Sequence, residues 1–345
     1  MNFFEFEGHT VSRVFKGNWQ LAGGHGSIAR EQAIADLFTY VEHGVNVFDV
    51  GDIYTGAEEI LGEFLRQYTQ KNGIELAQKL RVHTKFVPDL DALDDLTKDD
   101  VRAIIERSLK RLGLERLHLV QFHWWDFSKG DFVKAGRYLT ELQEEGLIEG
   151  IGLTNFDAAH TKQLVDAGIP IVSNQIQYSL LDPRPLNGML DYARHNNIAI
   201  FCYGVLAGGL LGDSRPGDEP ENRSHIKYQL MIEEVGAKYY QTLLERLTGL
   251  AAKYGTTLAN VAAAYVLQTP GVSSTILGPR NTKHIAELDK LTQLKLEIAD
   301  YTQLRDLQRS LLDSNKDDVY SYERDITGPH GKIMKYNLNG MRSDN

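Results

Sequence analysis

Seven short apolar runs, rich in β-branched and aromatic residues, recur along the chain, and the segments between them carry helical periodicity. The runs are VNVFDV (45–50), RVHTKF (81–86), LHLVQFHW (117–124), IEGIGLTN (148–155), PIVSNQIQY (170–178), IAIFCYG (198–204) and SSTILG (273–278). An earlier run near VFKGNWQ (14–20) makes eight. Strand, helix, strand, helix at this spacing requires right-handed crossovers and a parallel sheet. Eight such units in 345 residues favour an α/β fold closed as a (β/α)8 TIM barrel. The open, doubly wound sheet is the alternative, but no G-x-G-x-x-G follows the first strand. The glycines of GNWQLAGGHG stand at 17, 23, 24 and 26, which is the wrong spacing.

Local signals agree with this grammar. In TKDDVRAIIERSLKRLG the residues Val101, Ile104, Ile105, Leu109 and Leu112 share one helical face. Thr97 stands at the N-cap, Asp99 and Asp100 suit the first turn, and Gly113 suits the stop. Asp157 can cap the helix that ends at Gly168, and REQAIADLFTYVEH ends at Gly44. The chain reads as one barrel domain over 1–345, with a core from about 11 to 293 and a C-terminal tail over 294–345. FFEFEGHTVSRVF (3–15) alternates around Gly8 and predicts a hairpin that could plug the barrel floor. The long connection after the seventh strand, 206–238, mixes glycine, proline and charge, as a functional lid or a locally disordered segment would. Tyr320, Tyr322 and Tyr336 in the tail call for a packing surface.

Charge and composition exclude some functions. A formal net charge of −10 disfavours nonspecific nucleic-acid binding, which needs clustered Lys and Arg. Cys202 is the only cysteine, so no internal disulfide forms, as suits a reducing compartment. Glu5 and Glu7 stand where a signal peptide would be basic and apolar, and no run approaches the roughly 18 apolar residues of a membrane span. The expectation is a soluble, cytoplasmic protein, monomeric or weakly homo-oligomeric, without membrane or nucleic-acid partners, acting on a small molecule. No metal is expected: His118 and His123 are five apart on a strand, on opposite faces by parity, and no ligand set completes them.

In such barrels chemistry sits at the C-terminal ends of the strands. Strand two delivers Asp49, with Tyr54 in the following loop; strand three delivers Lys85 and strand four His123. Singly each has a plainer reading: a turn residue, a rim phenol, a solvated charge, a satisfied core histidine. Jointly, an Asp and a Lys that each demand a partner could supply one another. A phenol titrates near ~10 and is a poor acid at neutral pH. An ammonium beside it lowers that value and eases proton donation. A histidine on the next strand could hydrogen-bond an oxygen on which charge develops.

These residues resemble the Asp-Tyr-Lys-His tetrad of the aldo-keto reductases. The resemblance covers the chain from about Val11 to about Leu291, through FDVGDIYTGAEEILGEFL, HTKF, QFHWWD, GLIEGIGLTNF, SNQIQY, FCYGVLAGGLL and ILGPRNTKHIAEL. It implies an NADP-dependent carbonyl reductase or alcohol dehydrogenase using NADP(H), with NAD(H) possible. Tyr54 would donate the proton, Lys85 would lower its pKa, Asp49 would hold Lys85, and His123 would orient the carbonyl. Thr154, Asn155 and Gln175 would bond the nicotinamide carboxamide, and Tyr203 would stack on its ring. Gly204, Val205, Leu206 and Gly208 would meet the diphosphate; Gly278, Arg280 and His284 would meet the adenosine 2′-phosphate, for which an Arg at a helix start is apt on physical grounds too. Trp19, Trp124 and Trp125 are expected at the substrate mouth, with rim packing as the plainer reading of Trp125. Gly204 stands where many members have Ser, Leu288 where relatives carry Asn, and His284 where Arg or Gln is common. Two other readings fit the resemblance: a nucleotide-bound regulatory or channel-associated subunit, and a sugar or polyol dehydrogenase working in the oxidative direction. The acid-rich connection 206–238 weighs weakly against a heavily anionic substrate.

Overall fold

The computed structural model describes residues 1–22, 29–218, 222–279, 281–312 and 319–341. The chain opens with a hairpin, β1 (Phe3–Phe6) and β2 (His9–Ser12), paired antiparallel with Phe6 opposite His9. Glu7 and Gly8 form its two-residue turn, both with positive φ (48° and 75°), which matches the twist of the flanking strands. Eight parallel strands follow: β3 (Val14–Gly17), β4 (Val47–Asp49), β5 (Arg81–Phe86), β6 (Leu117–Phe122), β7 (Ile148–Thr154), β8 (Ile171–Gln177), β9 (Ala199–Tyr203) and β10 (Val272–Leu277). They close in chain order, β10 pairing β3 through Thr275 and Val14. The expected barrel, with its N-terminal hairpin, is the observed fold. No helix among the described residues is long and apolar enough to cross a membrane.

The caps act where the sequence places them. Thr97 and Asp100 form a capping box on the helix Lys98–Leu112, and Gly113 ends it in the left-handed region at φ 66°. The Asp157 side chain accepts from the His160 backbone N–H at the start of Ala158–Asp166. Capping removes unpaired backbone donors, contributing ~1 kcal/mol for each such helix.

Strand period decides what the barrel interior contains. Phe15, Val47, Leu119, Phe201 and Ile276 point inward at the floor, where Phe4, Phe6 and Val11 cover them. Phe6 meets Phe201 edge-on at 5.2 Å between centroids, so the hairpin does close the bottom. Two residues further along, the same inward parity yields polar groups: Val47 leads to Asp49, His83 to Lys85, Leu119 to Gln121 and His123, Phe201 to Tyr203. An apolar plug below and a polar layer above follow from one alternation.

Two long segments complete the mouth. The connection after β9 is more than a bare loop in its described part. Its described part contains the helix Arg223–Val235, capped by Asn222, whose side chain accepts from Ser224 N. The tail from Val319 to Met341 crosses the C-terminal face. Arg184 bonds both Glu323 oxygens (2.9 and 3.2 Å) and both Asp182 oxygens, anchoring one end. Asn339 donates to Asp52 Oδ2 (2.9 Å) and the Val87 carbonyl (2.6 Å), anchoring the other.

Candidate active site

Asp49 and Lys85 are each 5% exposed, and the Lys85 ammonium donates to both Asp49 oxygens at 2.9 Å and to the Val50 carbonyl at 2.7 Å. Gln121 and Gln175 also donate to Asp49 Oδ1, at 3.0 and 2.6 Å. A buried carboxylate thus receives four hydrogen bonds, which is what keeps a charge tolerable there. Burial alone would lower the Lys85 pKa, but the charge and hydrogen bonds of Asp49, together with Tyr54, outweigh it and hold the ammonium above its ordinary value.

The Lys85 nitrogen lies 4.8 Å from the Tyr54 ring centroid. Lys85 pulls the phenol pKa down as the sequence implies, yet the net shift is upward. Burial of the hydroxyl is the larger effect, and Asp49 adds to it. The expectation of a lowered Tyr54 pKa is therefore corrected: in this structure the phenol is firmly protonated, with a cation beside it to receive the phenolate.

His123 is also buried, and its pKa is lowered to about 3, first by burial and then by the nearby Arg324 charge. Its Nδ1 meets the Thr154 carbonyl at 3.1 Å. A carbonyl only accepts, so the neutral ring carries its proton on Nδ1 and leaves Nε2 as an acceptor. Nε2 has no hydrogen-bond partner and faces the same space as Tyr54. In this tautomer Nε2 only accepts, so a substrate oxygen would need a proton before His123 could bond it. The bare nitrogen suits the hydroxyl that exists once that oxygen has its proton.

These groups line a cavity of about 880 Å³ that runs from the strand ends to the helix Ile285–Gln293. Thr154, Asn155, Gln175, Tyr203, Gly204, Val205, Leu206, Gly208, Gly278 and His284 all line it, as do Trp19 and Trp125. Three of them differ from expectation in detail. Gln175 turns its amide N–H₂ to Asp49, leaving its Oε1 for other partners. Tyr203 donates to Asn155 Oδ1 at 2.8 Å, which fixes its ring. Gly204, at φ 70°, is required because a Cβ would come within 2.2 Å of the Tyr228 hydroxyl; this accounts for the missing serine. Arg280 lies outside the described residues.

Trp124 is the misplaced residue. It is fully buried against Phe122 and Phe132, its Nε1 donates to the Lys129 carbonyl at 3.2 Å, and it does not line the cavity. Parity explains it: His123 and Trp125 share one side, and Trp124 between them faces the helix layer. Sequence reasoning also missed Gln121, although inward parity from Leu119 marks it. It missed Arg223, Lys227 and Tyr320 too, which come from the connection and the tail and carry no local signal. Tyr320 stands edge-on to His123 (5.6 Å) and Tyr336 edge-on to Trp125 (5.0 Å), so the tail roofs the site.

The donor set suits a dinucleotide. Arg223 opens a helix whose first turn faces the cavity beside Gly208, where a Cβ would press on Ser224 at 3.0 Å. Comparison with known proteins gives the context. A protein of Escherichia coli strain K12 named NADH-specific methylglyoxal reductase is 26% identical over 322 residues, covering 88% of this chain and 96% of its own. The aldo-keto reductase YhdN of Bacillus subtilis strain 168 is 25% identical, covering 85% and 88%. A solved structure of the thermostable aldo-keto reductase Tm1743 with the inhibitor epalrestat shares the fold, with TM-score 0.72, 22% identity, and coverage of 89% of this chain and all of that one. Residues 13–309 match the Aldo/keto reductase family, and the chain belongs to it: an oxidoreductase family acting on carbonyl groups with a nicotinamide cofactor.

Proposed function

We propose that this protein reduces aldehyde or ketone groups to alcohols, with Tyr54 as the proton donor. The observation that carries the reading is the Asp49–Lys85 pair at 2.9 Å set against the Tyr54 ring inside the cavity. A nicotinamide cofactor, when bound, supplies the hydride to the carbonyl carbon. The chain's own part is to hold the substrate and move one proton. Tyr54 gives its proton to the carbonyl oxygen, and the adjacent Lys85 charge stabilises the phenolate left behind. Asp49 holds Lys85 charged and in place. His123 Nε2 accepts from the new hydroxyl, and its Nδ1 bond to Thr154 keeps the ring in that tautomer. Thr154, Asn155 and Gln175 would bond the carboxamide, and Tyr203 would stack on the nicotinamide ring.

Support for the cofactor's identity points two ways. Arg280, in the segment ILGPRNTKHIAEL, favours a 2′-phosphate and NADPH by its chemistry, whereas the E. coli relative is named for NADH. The test is spectrophotometric: aldehydes, ketones and sugars offered with NADPH and with NADH. Replacing Tyr54 by Phe should lower kcat by about 10²- to 10⁴-fold while cofactor affinity, read by fluorescence titration, stays within about twofold. A variant that keeps most of its kcat would overturn the assignment. Cofactor binding with no turnover of any carbonyl would favour a regulatory subunit, and faster oxidation of polyols than reduction would favour the dehydrogenase.

A further inference from the structure

The connection after β9 looks acidic in sequence, yet the one Asp, Glu, Lys or Arg it buries in the cavity wall, among the described residues, is the cation Lys227. Its described acids Asp213, Asp218, Glu233 and Glu234 are exposed. Lys227, one turn into the helix Arg223–Val235, is 7% exposed and lines the cavity together with Tyr54 and His123. Its ammonium lies 5.2 Å from the Tyr203 ring centroid and 5.4 Å from that of Tyr320, the ring that contacts His123.

An ammonium has three donors, and among the described residues Lys227 makes no hydrogen bond. The nearest carboxylate oxygen, of Glu323, is 3.9 Å away. Both Glu323 oxygens are already held by Arg184, as are both oxygens of Asp182. Burial lowers the Lys227 pKa and Arg184 adds to that, while the Glu323 and Asp182 charges oppose it; none of these groups fills its donors. The Trp125 ring stands edge-on to His123 at 4.3 Å, and its indole N–H is buried, unpartnered and part of the cavity wall. The carboxylates lining the cavity, among the described residues, are Asp49, Asp213 and Glu287. Asp49 is saturated by Lys85 and two glutamines, Asp213 is exposed, and Glu287 stands at the far end with Asn260. The wall of the cavity that holds Tyr54 and His123 therefore carries two donors with no hydrogen-bond acceptor among the described residues, a state that a substrate oxygen would relieve.

Resting on the carbonyl-reducing reading, we propose that the substrate is an oxo acid, a carbonyl compound bearing a carboxylate, which Lys227 and Trp125 Nε1 recognise while its carbonyl lies between Tyr54 and His123. Lys227 is a specificity-determining residue and takes no part in the proton transfer. Cation–π contact with Tyr203 and Tyr320 holds the ammonium over the site without using its donors.

The test compares carbonyl pairs matched in size but not in charge: succinic semialdehyde with 4-methylpentanal, and 4-carboxybenzaldehyde with 4-isopropylbenzaldehyde. The carboxylate member of each pair should show the higher kcat/KM. Lys227→Met should raise KM for the carboxylate member by about 10- to 100-fold, the range of a lost charge-assisted hydrogen bond. Its kcat should change by less than about threefold, and Lys227→Arg should restore much of the preference. Calorimetric binding of 4-(hydroxymethyl)benzoate to the cofactor complex gives a readout independent of turnover and should be lost in Lys227→Met. Equal losses for charged and neutral members, or a fall in cofactor affinity in place of a substrate effect, would overturn the proposal. No turnover of any carbonyl, with benzoate binding still dependent on Lys227, would sink the reductase reading and leave the anion site standing.

Discussion

Replacing Asp49 by Asn removes one charge from a pair that burial has made mutually dependent. Lys85 would keep its bond to the Val50 carbonyl but lose two bonds to a carboxylate, and the new amide N–H₂ would face the Lys85, Gln121 or Gln175 donors. Breaking a buried pair from one side costs ~3–5 kcal/mol, because the remaining charge stays desolvated. At about 2.1 cal/mol/K per residue, unfolding 345 residues carries roughly 0.7 kcal/mol/K, so a loss of about 3 kcal/mol lowers Tm by about 4 °C. The sign of the pH dependence separates this cause from simple loss of packing. In the native protein the Lys85 pKa is raised, so its contribution is full below its ordinary value of 10.5 and is lost as pH rises beyond it. In the Asn variant the Asp49 charge is gone, Tyr54 is left to oppose burial, and the folded pKa falls. The variant should then gain stability relative to the parent as pH rises from 7 towards 10. Differential scanning fluorimetry across that range checks it. A Tm gap below about 1 °C at pH 7, or a gap that does not narrow by pH 10, would refute the reasoning.

Three further outcomes follow from the same geometry, beside those given for Tyr54 and Lys227. Burial pushes the Asp52 carboxyl up to about 7, against hydrogen bonds from Asn339 and Val87 and with help from Glu58. A raised folded pKa means stability falls as pH climbs from about 4 to 7, so Asp52→Asn should flatten that fall and be ~1–3 kcal/mol more stable than the parent at pH 8, read by urea unfolding; parallel curves for the two proteins would count against it. Gly204→Ala should cost ~1–3 kcal/mol, since its Cβ meets the Tyr228 hydroxyl at 2.2 Å and φ is 70°. Adding Tyr228→Phe frees that space, and the double variant should lose less than the two single losses together; strict additivity would show that the hydroxyl is not the obstacle.

The alternation of strand residues was enough to determine the barrel, its hairpin floor and the inward layer carrying Asp49, Lys85 and His123. Period 2 is a local property, and each strand exit needs only its neighbours in register to bring these groups together. The same parity separates Trp125 from Trp124 and marks Gln121 as inward, so those were legible and went unread. Capping at Thr97, Asp157 and Gly113 was legible for the same reason: donor, acceptor and left-handed turn all lie within four residues. What the mouth is made of was decided only in three dimensions. Lys227 reaches the site from a connection that is exposed and acidic elsewhere, and Tyr320 and Glu323 reach it from a tail more than a hundred residues beyond His123 and Arg184. No periodicity ties those partners together; they are set by which surface the barrel leaves open and which buried charges need an opposite. Even the upward shift of Tyr54 belongs to this tertiary layer. Sequence supplied the ammonium that lowers its pKa, but the burial that outweighs Lys85 exists only once the chain has closed around the phenol.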